Sequence, residues 1–197
     1  MFNSLRHALL ACALLLCNAV AFAGPTYLVT LHTQDYAGES GLLDFGMGGT
    51  ADAPSAFAYL WHFAGAFGEE FDRSASTVGD LAGGVTVAST GASNYLTQAV
   101  SLGGDLSFYV NFSGDYQTLA SGSGNLFAVV LYSEALTDMW AIAAEFALQP
   151  AFNGAPASVL VDANAELATV TDVPEPSQLL LMLSALALAG VALRRKA

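Results

Sequence analysis

Cysteine and basic residues are scarce in this chain, and their absence narrows the chemistry before any motif is read. The 197 residues include two cysteines, Cys12 and Cys17, both inside an apolar run near the N-terminus. Outside that run no disulfide framework, thiolate nucleophile or cysteine-ligated zinc site is possible. Of the five basic residues, Arg6, Arg194, Arg195 and Lys196 lie close to the two ends, which leaves Arg73 alone in between. All 17 acids fall between Asp35 and Glu175, so that span sets 17 acids against one base, a formal charge of −16. Nucleic acid is excluded as a partner, because phosphate contacts need Lys and Arg. Anionic lipid headgroups are repelled for the same reason. Acidity also keeps a lysine-poor domain soluble.

Hydrophobic residues make up 54% of the chain, but much of that apolar character is concentrated at the two ends. Residues 1–23 carry a positive Arg6, an apolar stretch from Ala8 to Val20, and Ala21-Phe22-Ala23. The stretch is too short to span a bilayer comfortably. Ala21 and Ala23 put small side chains where a signal peptidase reads them, so cleavage is expected before Gly24. A lipoprotein signal ending at Cys12 fails on length, because only five residues separate it from Arg6.

The other end has three parts in order. Pro174-Glu175-Pro176 is a stiff break, since proline fixes φ and restricts the residue before it. Leu179 to Leu193 is free of charge and covers most of a roughly 30 Å apolar core as a transmembrane helix. Arg194-Arg195-Lys196 then acts as a membrane stop that stays on the cytoplasmic side.

The run Val173-Pro174-Glu175-Pro176-Ser177, the apolar stretch and the basic terminus together resemble the PEP-CTERM sorting signal. That resemblance implies an exosortase as processing partner, cleavage near Pro174-Glu175-Pro176, and transient residence in the inner membrane before delivery to the cell surface or outside it. The Sec translocon is the expected export route. A permanent C-terminal anchor would use the same apolar run. Within the body, Tyr27–Thr33, Gly38–Phe45, Leu106–Phe112 and Phe127–Tyr132 are similar to strands of one PEP-CTERM subfamily, to which no activity is attached.

Between the ends, Gly, Ser, Thr, Asn and Asp punctuate short apolar runs, the pattern of an all-β domain. Tyr27, Val29, Leu31 and Thr33 share one face at period two, which turns His32 outward. Further strands are expected at Gly41–Gly46, Phe57–Phe63, Gly84–Thr90, Leu106–Phe112, Val159–Val161 and Leu167–Thr171. Leu126–Tyr132 is continuously apolar and predicts a central strand buried on both faces. Met139–Leu148 is rich in alanine, yet its place among strands favours a strand. Eight to ten strands predict a single sandwich or jelly-roll-like domain over residues 24–172, with a signal peptide at 1–23 and the sorting and anchor segment at 173–197.

No constellation in the body points to catalysis, so a non-enzyme is expected, with no catalytic, cofactor or metal residues assigned. His32 and His62 sit in strand-like stretches without metal-ligand spacing. Ser121-Gly122-Ser123-Gly124-Asn125 lacks the nucleophile-elbow pattern and reads as a loop between strands. Glu69, Glu70 and Asp72 beside Arg73 read as an acidic loop with a local ion pair, and no calcium-loop motif accompanies them. Sugar binding would use exposed aromatics, for which Tyr59, Trp61, Tyr95, Tyr109, Tyr116 and Trp140 are the candidates, with Tyr59 and Trp61 on one strand face. The expectation is therefore a structural or adhesive surface protein associated with extracellular polysaccharide or biofilm. The alternatives are a carbohydrate-binding module and, behind it, a glycoside-active enzyme.

Overall fold

The computed structural model describes residues 24–89 and 93–174. Twelve strands form among them: β1 (Thr26–His32), β2 (Ser40–Gly49), β3 (Ala56–Ala64), β4 (Phe67–Arg73), β5 (Val78–Asp80), β6 (Gly84–Ser89), β7 (Asn94–Ser101), β8 (Asp105–Ser113), β9 (Asn125–Ser133), β10 (Met139–Gln149), β11 (Ser158–Ala163) and β12 (Ala168–Val173). They pair antiparallel in two six-stranded sheets. The first has the order β12-β1-β8-β3-β6-β5 and the second β11-β10-β9-β2-β7-β4. The expected all-β sandwich is what forms. The pairing is nested: β1 lies on β8, β2 on β7 and β3 on β6.

Alternation of side chains builds the core. Tyr27, Val29 and Leu31 of β1 and Leu106, Phe108, Val110 and Phe112 of β8 point inward from the first sheet. Leu43, Phe45 and Met47 of β2 and Phe127, Val129 and Leu131 of β9 meet them from the second. Aromatic contacts bridge the two layers. Phe45 meets Phe108 edge to face at 5.0 Å, and Phe112 lies 5.5 Å from Phe127 and 5.1 Å from Phe146. Such pairs contribute beyond the area they bury.

The expectation fell short in several places. Twelve strands replace eight to ten, because β4, β5 and β7 were not recognised. The acidic stretch at Glu69, Glu70 and Asp72 is part of edge strand β4, not a loop, although its ion pair with Arg73 is there. β4 escaped notice because its charges hide the strand pattern, and charge on an edge strand guards against edge-to-edge association. β9 is central, between β10 and β2, but it is buried on both faces only around Val129–Leu131; Leu126 is exposed. Met139–Gln149 is an eleven-residue strand. β12 runs through Val173 and stops at Pro174, which has no N–H to continue a ladder.

No helix among the described residues is long and apolar enough to cross a membrane. The apolar stretch expected to do so lies outside them, as do Ala21, Ala23, Glu175, Pro176, Arg194, Arg195 and Lys196.

Candidate functional site

The outer face of the second sheet carries a trough of about 930 Å³. Its floor is low because small residues sit where β2 and β9 run side by side. Gly46 stands opposite Ala128, and Gly48 opposite Leu126. On the other flank Gly46 faces Tyr95 of β7, and Asp44 faces Thr97. Tyr132 and Leu136 close the far end, and Asp72 of β4 reaches the near wall.

Asp44 is the chemical centre of this surface. It is partly buried, and the Thr97 hydroxyl donates to its Oδ1 at 2.6 Å. Burial pushes its carboxyl above the ordinary range, and the Thr97 bond only partly offsets this. Carboxylates displaced in this direction within a cleft are concentrated at functional sites. Asp72 accepts from the Tyr95 hydroxyl at 2.8 Å, which fixes the ring at the trough wall and holds the phenol above its ordinary value.

Asp44→Asn is expected to stabilise the fold at neutral pH by on the order of 1 kcal/mol, because the amide keeps the Thr97 bond without a desolvated charge. In the native chain the raised folded pKa means that the folded state binds a proton more readily than the unfolded state. Stability should therefore fall as pH rises from about 4, the ordinary carboxylate range, through the folded value. Urea midpoints across that window check this; the variant should lose that part of the slope.

The aromatics singled out in the sequence separate into four groups. Tyr95 lines the trough. Tyr116 is not exposed at all: it is fully buried, and burial pushes its phenol up to about 12. Trp140 stacks on Tyr36 at 5.4 Å and packs against the core. Tyr59 and Trp61 do share the outer face of β3 and are joined by Tyr109 of β8, with ring centres 5.2 and 5.5 Å apart. Those rings stack on one another, with Trp61 held between the other two. His62, held at φ +54, meets the end of the row edge-on against Tyr109.

The remaining candidates are engaged locally. His32 points outward, as its position predicted, and lies between Asp105 Oδ1 at 3.0 Å and Thr169 Oγ1 at 3.1 Å. Gln34 also donates to Asp105, and these bonds hold that carboxyl below the usual range. The result is a polar ladder across the outer faces of three adjacent strands, β12, β1 and β8. Glu70 pairs with Arg73, whose guanidinium also donates to the Gly79 carbonyl. Among the described residues no group of three His, Cys, Asp or Glu side chains is placed to hold a metal ion. The Ser121–Gly124 segment is a loop, with Ser123 donating to Asp52.

Asp44, Thr97 and Tyr132 were not singled out in the sequence. The one available signal was an acid inside the apolar run Leu42-Leu43-Asp44-Phe45.

The last described strand leads directly into the terminal signal. Asp172 and Val173 still pair with Tyr27 and Thr26, and residues 172–196 match the family described as the PEP-CTERM protein-sorting motif. The chain carries a PEP-CTERM sorting signal. This marks a PEP-CTERM protein as an exported substrate, held transiently at the membrane and processed by an exosortase before surface display. No curated protein and no solved structure matches the chain.

Proposed function

We propose that this PEP-CTERM protein is a non-catalytic component of the cell surface or extracellular matrix, structural or adhesive in role and associated with extracellular polysaccharide or biofilm. The observation that carries the reading is the sorting motif, which begins within the last strand of an acidic sandwich. In this reading residues 1–23 are a signal peptide used by the Sec translocon, and the sandwich is the delivered cargo. The nested strand order, which we read as jelly-roll-like, gives that cargo two broad outer faces on which to make contact.

A carbohydrate-binding module is the second reading, favoured by the trough on the second sheet. A glycoside-active enzyme stands behind it, since Glu70 and Asp72 of β4 are engaged by Arg73 and Tyr95. Deleting residues 174–197 is expected to abolish display and leave the sandwich released and soluble. Cell fractionation with an antibody to the body checks this. Normal delivery of the truncated chain to the surface matrix would overturn the sorting role.

A further inference from the structure

We propose that the trough on the outer face of the second sheet binds a single chain of an uncharged, hydroxyl-rich polysaccharide, with Asp44 as hydrogen-bond acceptor and Tyr95 as the stacking surface. The proposal rests on the surface-matrix reading above and adds the site and the ligand class.

Shape is the first argument. A space of about 930 Å³ is at the upper end of the usual 300–1,000 Å³ of ligand sites. It opens to solvent rather than closing over, so a ligand that extends beyond it can enter. Glycine at 46 and 48 and alanine at 128 keep the floor low across two adjacent strands. A Cβ at Gly46 would lie 3.3 Å from Asp44 Oδ2, so the missing side chain leaves that oxygen uncovered from the trough.

Chemistry is the second argument. Oδ1 of Asp44 is satisfied by Thr97, while Oδ2 faces the open position over Gly46. A carboxylate taken partly out of water without a cation beside it gains from donors that restore its lost hydration. Sugar hydroxyls supply such donors. Tyr95 adds an apolar ring whose orientation is fixed by its bond to Asp72. Its cross-strand neighbour on the β2 side is Gly46, so no side chain covers the ring from that direction. The Tyr59–Trp61–Tyr109 row on the other sheet lacks this property, because its rings cover one another.

Charge decides against other occupants. Asp44 and Asp72 line the trough, and among the described residues no Lys or Arg does. Polyuronates, phosphorylated glycans and acidic peptides would bring like charge to a desolvated carboxylate. A second copy of this acidic chain would do the same.

The test uses the full chain in mild detergent and the extracellular polysaccharide of the producing cells, split by anion exchange into uncharged and anionic fractions. Retention is expected on the uncharged fraction. Tyr95→Ala should weaken it at least tenfold, and Tyr95→Phe should recover most of that loss. Ala128→Leu, which fills the floor from β9 and leaves the Tyr95 ring in place, should weaken binding similarly and guards against a folding defect in the first variant. Trp61→Ala on the opposite sheet should bind as the native chain does. Retention on the uncharged fraction that neither Tyr95→Ala nor Ala128→Leu reduces would overturn the trough and leave the matrix reading standing. Retention on the anionic fraction alone would overturn the ligand class in the same way. No retention on either fraction would overturn the proposal and remove polysaccharide association from the wider reading, whereas the sorting role is tested separately by the tail deletion.

Discussion

Phe112→Ala should lower stability by about 3–5 kcal/mol, the range for truncating a fully buried phenylalanine. The ring is completely buried and meets three aromatic partners across both layers: Tyr27 at 6.2 Å on its own sheet, and Phe127 and Phe146 on the other. Those contacts join β1, β8, β9 and β10, so the cavity would open where the sheets are held together. Aromatic neighbours cannot collapse into such a space as readily as aliphatic ones, which places the cost toward the upper end. Urea unfolding of the purified chain checks it, and Phe71→Ala serves as control. Phe71 is 54% exposed on edge strand β4, so its loss should change stability by no more than about 0.5 kcal/mol.

Gly114→Ala is the second large expected loss, on the order of 3 kcal/mol, and its cause is backbone geometry. Gly114 has φ +123, a conformation that costs side-chain-bearing residues about 1–3 kcal/mol. A Cβ there would also lie 2.6 Å from the Ser55 carbonyl oxygen and 2.9 Å from Ala56 Cα. Both are backbone atoms at the start of β3, so relief requires that strand to shift against β8. Gly104→Ala is the informative comparison. A Cβ at Gly104 meets nothing within 4 Å, so that change should be neutral or slightly stabilising in the same unfolding measurement.

The strands that were legible in the sequence have clean alternation. β8 reads Leu106, Phe108, Val110 and Phe112 inward with polar or partly exposed residues between, and β1 does the same through Leu31. β7 was missed because its inward set includes Gln98, which is buried with its amide bonded to the Gly68 carbonyl. A polar residue at an inward position breaks the periodic signal, and only the partner carbonyl on β4 makes the burial acceptable. β5 is three exposed residues and has no pattern to read. The trough was illegible for a different reason. Its parts, Asp44, Gly46, Tyr95, Thr97 and Ala128, are far apart in the chain and meet only through the β7-β2-β9 register. Leu126–Tyr132 looked buried on both faces because composition cannot tell a covered face from one lined by glycine and alanine opposite. The sorting signal, by contrast, is contiguous and needs no fold to bring it together.

The first and last strands of the body lie next to each other, with Thr26 opposite Val173 in the β1–β12 ladder. The polypeptide therefore enters and leaves the sandwich at one corner of one sheet. Whatever is trimmed upstream of that corner or downstream of it is cut away from a closed seam, and no rung between the two strands is surrendered. Every rung of that seam lies between Thr26 and Val173, inside both ends of the chain.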